Sequence, residues 1–198
     1  MVVVKLAGCG YRKTDLQKVV DVQSSLAIFN EIVKKGENIA PKGLLISGHT
    51  IEQLESDLNH GGMLYAVEKD MQSYNGYLLS TNGQDFANKL NAPDTAIGWR
   101  TNDKELISSA MSGQYDYLDQ IGVRFEAHGH GVAEALLKKY EEDRNGQLIV
   151  VLIMTAPVDN LRSTAFFKKH NYRIIADVKF SKYGTVKDFS GIILYKEL

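Results

Sequence analysis

The stretch from Leu118 to Leu137, LDQIGVRFEAHGHGVAEALL, constrains this chain more than any other. Tyr115, Tyr117, Leu118, Ile121 and Val123 supply the β-branched and aromatic character of a strand. His128-Gly129-His130-Gly131-Val132-Ala133 then brings glycines and a small residue to a helix start. Beyond that point Val132, Ala133, Leu136, Leu137 and Tyr140 share one helical face. A strand that passes through a glycine loop into a helix exposes bare backbone N–H groups, and the helix dipole there favours negative charge. Glycines also let a phosphate approach the backbone closely.

A Walker A loop is excluded, because no Gly-Lys-Ser/Thr follows. A dinucleotide fingerprint beginning at Gly129 would need glycine or alanine where Glu134 stands. The next strand also ends in Thr155-Ala156-Pro157, without a ribose-binding acid. Taken alone, the hexapeptide also fits an ordinary turn before an amphipathic helix.

The 198 residues suit one substantial core and are short for two. Hydrophobic content of 44% with 24% charged residues is that of a soluble globular chain. A net charge of −1 argues against a nucleic-acid partner. The single cysteine, Cys9, excludes an internal disulfide and fits a reducing compartment. No apolar run reaches membrane-span length, and Met1-Val2-Val3-Val4-Lys5 is too short for a signal peptide. A cytoplasmic protein without a membrane partner is expected.

Val2 to Ala7 reads as a strand. Thr14 and Gln17 have capping-box spacing for a helix from Asp15 towards Lys35, divided in two by the clusters around Val20 and Ile28. Thr50 and Gln53 repeat that spacing ahead of the stripe Ile51, Leu54 and Leu58, which Gly61-Gly62 ends. Met63–Glu68 and Gly76–Ser80 form a hairpin. Residues 83–114 have weak periodicity and read as an irregular insertion with short helical turns, one capped by Asn102 or Asp103. Leu148 to Thr155 is an unbroken apolar strand of the kind covered on both faces. A helix from Asn160 to His170 and strands Tyr172–Phe180 and Phe189–Lys196 follow. With no repeat or linker, residues 1–198 read as a single α/β domain.

His128-x-x-Gly131-x-Ala133 resembles R/Q-x-x-G-x-G/A, the pyrophosphate loop of the GNAT superfamily of acyl-CoA-dependent N-acyltransferases, with histidine in the arginine or glutamine position. The run NLRSTAFFKKHNY, Asn160 to Tyr172, resembles that family's N-x-x-A-x-x-F-Y-x-x-x-G-F segment. Asn171 takes its glycine position, and Phe167 stands where many relatives carry tyrosine. Arg12-Lys13-Thr14-Asp15-Leu16 and Gly76-Tyr77 are weaker matches to the family's R-x-x-D-L and V-G-Y.

The resemblance implies an α+β fold with a central mixed, mostly antiparallel sheet of about six to seven strands and about four flanking helices. It implies acetyl-CoA as co-substrate, a small-molecule or peptide amine as acceptor, no metal, and the homodimerisation common in the family. Backbone groups of Ile121, Gly122 and Val123 would pair with the pantetheine arm as an added strand. His128, Gly129, His130, Gly131, Val132 and Ala133 would hold the pyrophosphate. Asn160, Phe166 and Phe167 would flank the arm and its thiol end.

Acyl transfer to an amine needs a base, because an ammonium has no lone pair. Asp119, two residues before the Ile121 N–H that would face the thioester oxygen, is the candidate; a hydrogen-bonded strand-edge acid is the equal alternative. Tyr117 either shapes the acceptor site or belongs to the core. Phe167 cannot donate a proton. Either the thiolate leaves without an enzymic acid, or the chain binds acyl-CoA as a non-catalytic regulatory domain. His128 and His130 have no third ligand in the sequence nearby, so no metal is expected. His49, His60 and His170 lie near helix ends and receive no role.

Overall fold

The computed structural model describes residues 1–6, 10–26, 45–184 and 186–198. Cys9 and the second half of the expected first helical region lie outside them. In chain order the elements are β1 (Val3–Leu6), α1 (Lys13–Ser24), α2 (Ile51–Asn59), β2 (Met63–Asp70), β3 (Ser73–Asn82), α3 (Gly83–Leu90), β4 (Thr95–Trp99), α4 (Lys104–Ser112), β5 (Asp116–Val123), α5 (Val132–Asp143), β6 (Leu148–Ala156), α6 (Leu161–Lys169), β7 (Arg173–Tyr183) and β8 (Val186–Glu197). The strands are hydrogen-bonded in the order β1-β2-β3-β5-β6-β8-β7-β4. β5 and β6 run parallel, whereas β1–β2, β2–β3, β6–β8, β7–β8 and β4–β7 are antiparallel. The fold is therefore α+β on a mixed, mostly antiparallel sheet. Among the described residues the sheet has eight strands, slightly more than expected. None of the described helices is long and apolar enough to cross a membrane.

Two compact units are distinguishable. Residues 1–26, 48–81 and 118–146 form the first, and residues 82–117 and 147–198 fall in the second. In the first unit α1 begins earlier than Thr14 suggests. The Asp15 carboxylate accepts the Arg12 backbone N–H at 3.0 Å and pairs with the Arg12 guanidinium at 3.4 Å. An acid in the first turn satisfies an orphan donor and suits the dipole, so it takes over the capping role. At α2 the expected box forms, with Gln53 N donating to Thr50 Oγ1 at 3.3 Å and Thr50 N to Gln53 Oε1 at 2.8 Å.

Leu16, Val19 and Val22 of α1 and Leu54 and Leu58 of α2 pack with Leu64, Ala66, Tyr77 and Leu79 of the hairpin. Side chains alternate across a strand, so Tyr65 turns the opposite way. Its ring meets Tyr140 of α5 edge-on at 5.9 Å. Each fully buried leucine here contributes about 1.5–3 kcal/mol relative to exposure.

The second unit corrects the expectation for residues 83–114, which are two helices and an edge strand. Gly83, Phe86, Ala87 and Leu90 are the buried positions of α3, at i, i+3, i+4 and i+7. The stripe is faint in the sequence because glycine contributes no side chain and alanine little. Asn82 caps α3 through Gln84 N at 3.1 Å, and Asp103 caps α4 through Leu106 N at 3.0 Å. β4 pairs along β7 from Thr95↔Phe180 to Trp99↔Ala176 and is the strand beyond the expected number. Phe86, Leu106, Tyr115, Tyr117, Val150, Ile175, Phe180, Phe189 and Ile193 are in this unit's core.

Candidate active site

Within the first unit, β5, the loop after it and α5 form the strand–loop–helix that the sequence announced. Glycines at Gly76 and Gly122 permit close backbone approach. A Cβ on Gly76 would lie 2.7 Å from the Gly122 carbonyl oxygen, and one on Gly122 would run into the Tyr77 ring. The chain leaving β5 is pinned by Arg124, whose backbone N donates to Asn75 O and whose Nε donates to Tyr74 O, each at 2.8 Å. A short helical turn, Phe125–Ala127, follows.

His128 sends Nε2 to the Val123 carbonyl oxygen at 2.9 Å, and its ring lies 5.2 Å from that of Phe125. A carbonyl only accepts, so Nε2 carries a proton there. His130 is exposed. Gly129 and Gly131 have φ of 80° and 75°, a left-handed conformation that costs other residues strain. A Cβ built on either meets nothing within 4 Å. Gly131 is the N-cap of α5 and offers no side-chain cap. Open space beside two left-handed glycines and a helix start lacking a cap from its own N-cap residue fits a pyrophosphate.

Five side chains from four elements of this unit gather around His49. Tyr77 Oη donates to Gln120 Oε1 at 2.6 Å. Gln120 Nε2 stands 3.1 Å from His49 Nδ1. His49 Nε2 lies 3.6 Å from Asp119 Oδ2 and 3.7 Å from Asp57 Oδ2. The His49 backbone N donates to Gln23 Oε1 at 2.7 Å, which ties this stretch to α1. Burial, and then the charge of Asp119, push the Tyr77 phenol well above its ordinary pKa. Its hydroxyl therefore stays protonated at neutral pH.

Of these residues, the sequence marks Asp119 alone as a catalytic candidate; Tyr77 enters there only through the weak Gly76-Tyr77 match. His49, near a helix end just before the Thr50 cap, carries no functional mark in the sequence. No local spacing links it to Asp57, Tyr77 and Gln120, and the fold makes that link.

β5 pairs with β6 at Asp116↔Ile149 and Tyr117↔Val150; Ile121, Gly122 and Val123 lie further along the strand. In the second unit the Tyr117 ring stacks on Phe86 with centroids 4.4 Å apart, and its hydroxyl is 3.0 Å from that of Tyr183. Buried Asn160 caps α6 by accepting from Ser163 N at 3.3 Å. Phe166 rests against His170 at 4.6 Å. Phe167 is buried, edge-on to Tyr172 at 5.0 Å. Asn171 has φ of 67°, and Tyr172 N donates to Phe167 O at 3.0 Å. Asparagine thus takes the left-handed position in which glycine is usual. Among the described residues no group of three or more His, Cys, Asp or Glu could hold a metal ion.

No protein-family sequence model matches the chain, and no curated protein matches it in sequence. Its backbone nevertheless resembles solved structures over nearly its whole length. Against the smu.2055 protein of Streptococcus mutans the TM-score is 0.63 at 9% identity, covering 100% of this chain and 99% of the other. Against the ribosomal-protein-S18-alanine N-acetyltransferase of Escherichia coli it is 0.59 at 10% identity, covering 99% and 94%. A Desulfovibrio desulfuricans protein described as a GNAT-family acetyltransferase gives 0.57 at 16% identity, covering 99% of both. Identities this low speak to architecture and not to chemistry. The chain has the fold of the GNAT superfamily of acetyltransferases.

Proposed function

We propose that the protein transfers an acetyl group from acetyl-CoA to a primary amine of a small molecule or peptide, in the cytoplasm, with both substrates bound together. The observation that carries this reading is Asp119. Its carboxylate stands 3.6 Å from His49 Nε2, on the strand that runs into an open glycine loop and the start of α5. The backbone N–H groups of Gly131, Val132 and Ala133 are assigned to the pyrophosphate, and the N–H of Ile121 to the thioester oxygen.

The thioester supplies an activated acetyl group, whose C–S bond breaks as the new C–N bond forms. Asp119 takes one proton from the acceptor ammonium, which frees the nitrogen lone pair. The second nitrogen proton, released on acylation, passes to the departing thiolate. The balance closes without an enzymic acid, so phenylalanine at position 167 is compatible with turnover.

Thiol release from acetyl-CoA, followed with a panel of amines, peptides and aminoglycosides, tests the reading. Amine-dependent release is expected, and Asp119→Asn lowers kcat/KM by roughly 10²–10⁴-fold. Calorimetric binding of coenzyme A with no thiol release would instead mark a non-catalytic acyl-CoA-binding domain, the reading favoured by the buried, hydroxyl-free Phe167. Absence of coenzyme A binding removes both.

A further inference from the structure

The cluster around His49 has a direction. Tyr77 is buried, and its hydroxyl donates to the Gln120 carbonyl oxygen at 2.6 Å. The other end of that amide is then an NH₂ group, and it faces His49 Nδ1 at 3.1 Å. An NH₂ can only donate, so Nδ1 must accept. A neutral imidazole with an accepting Nδ1 carries its proton on Nε2, the nitrogen that faces both Asp119 and Asp57. Each link fixes the next, from a phenol on β3 through an amide on β5 to an imidazole beside α2.

We infer that His49 is a positioning residue, locked by Gln120 as the Nε2–H tautomer, which steadies the Asp119 carboxylate as the proton acceptor for the amine. The assignment rests on the acetyl-transfer reading above. His49 is not itself the base in this arrangement: its Nε2 already holds a proton, and the lone pair of Nδ1 is covered by the Gln120 amide. Asp119 accepts the proton, and the amine nitrogen keeps the lone pair that forms the new bond.

The groups facing the imidazole explain the arrangement. Asp119 comes from β5 and Asp57 from α2, while Gln120 and, behind it, Tyr77 close the opposite side. Two carboxylates stand within ion-pair distance of one ring nitrogen, and the bond from the His49 backbone N to Gln23 Oε1 fixes the segment that bears the ring. A residue acting in this way is replaceable by another that donates from the same place. Glutamine can reach with its amide NH₂ where Nε2–H stood, whereas alanine leaves Asp119 without that donor.

Two measurements decide the matter. In protein labelled with ¹⁵N-histidine, two-bond ¹H–¹⁵N spectra distinguish the tautomers, and His49→Gln identifies the His49 signals by their loss. At a pH where the ring is neutral, the wild-type protein is expected to show Nε2–H. Gln120→Glu, which puts an acceptor opposite Nδ1, is expected to move the ring to an Nδ1–H or doubly protonated pattern. If that variant fails to fold, Tyr77→Phe serves instead: it frees the Gln120 amide to turn and mixes the tautomers.

In the acetylation assay His49→Ala is expected to lose about 10–100-fold in kcat/KM, by analogy with the side chains that orient metal-bound ligands in metalloenzymes. His49→Gln is expected to recover most of it. An Nδ1–H ring in the wild type, or His49→Ala with unchanged kcat/KM, overturns the inference while leaving acetyl transfer standing. No thiol release with any amine overturns acetyl transfer, and with it the role of Asp119. The spectra still report the tautomer in that case.

Discussion

Strand β5 contributes to two interiors of opposite character. Its early residue Tyr117 enters an aromatic core in the second unit, stacked on Phe86 among Phe180, Phe189 and aliphatic neighbours. Two and three residues later, Asp119 and Gln120 enter a polar chain in the first unit, where Tyr77, Gln120, His49 and the carboxylates follow one another at hydrogen-bond or ion-pair distance. The aromatic core is held by non-directional contact, which tolerates exchange at constant volume. The polar chain is held by donors facing acceptors, and reversing one member leaves its neighbours mismatched at low dielectric. One strand thus supplies bulk to one unit and polar, directional groups to the other.

The largest expected effect breaks the aromatic side. Phe86 is buried and meets both Tyr117 and Tyr115, so Phe86→Ala should cost about 3–5 kcal/mol of stability, as large-to-small aromatic changes do. Denaturant unfolding followed by tyrosine fluorescence measures it. A loss below about 1 kcal/mol would mean that the stack is loosely packed and would dissolve the contrast with the polar chain.

Gly122→Ala attacks the other side. The added methyl would press on the Tyr77 ring and come within 3.0 Å of Leu26 Cδ1. Overpacking of this kind costs about 1–3 kcal/mol. Here it should also displace the phenol from Gln120 and disturb the His49 tautomer spectrum. Stability falling with an unaltered His49 signal would show that the chain does not depend on Tyr77. That result would sharpen the comparison by moving Tyr77 to the packing side.

Much of this could be read from the sequence, and the omissions have physical reasons. The strand–loop–helix around Gly129 and Gly131 was legible because left-handed glycines and an amphipathic helix leave local marks. Asn171 was legible for the same reason. Residues 83–114 were not, because the buried stripe of α3 rests on Gly83 and Ala87, whose side chains carry almost no hydrophobic signal. The start of α1 was misplaced because an acid in its first turn caps it in place of the threonine before it. In the candidate site Asp119 was legible through its distance from Ile121. His49, Asp57 and Tyr77 were not, since they lie on three separate elements and acquire a common meaning only when the sheet and α2 bring them together. Directional chains are assembled by tertiary structure, whereas core stripes are written into single elements.

The smallest effect asks how far direction matters where water competes. Asp143, at the end of α5, accepts from Lys139 Nζ at 2.6 Å, from Tyr65 Oη at 2.9 Å and from Lys5 Nζ at 3.1 Å. The hydrogen bond from Lys139, then those from Tyr65 and Lys5, hold its carboxyl at about 2, against an opposing push from desolvation. Its ordinary value is 3.8. As pH falls, the unfolded chain binds the proton first, so the stability due to Asp143 is present above about pH 4 and is lost as pH approaches 2. Because the lysines are partly exposed, the contribution should be in the range of about 0.2–1 kcal/mol found for exposed pairs. Melting temperatures of the wild type and Asp143→Asn, compared from pH 7 down to pH 2, should differ at neutral pH and converge in acid. A gap that persists unchanged at pH 2 would mean that Asp143 acts through the shape of its contacts with Tyr65 and α5. This surface cluster would then belong with the packed core, apart from the polar chain around His49.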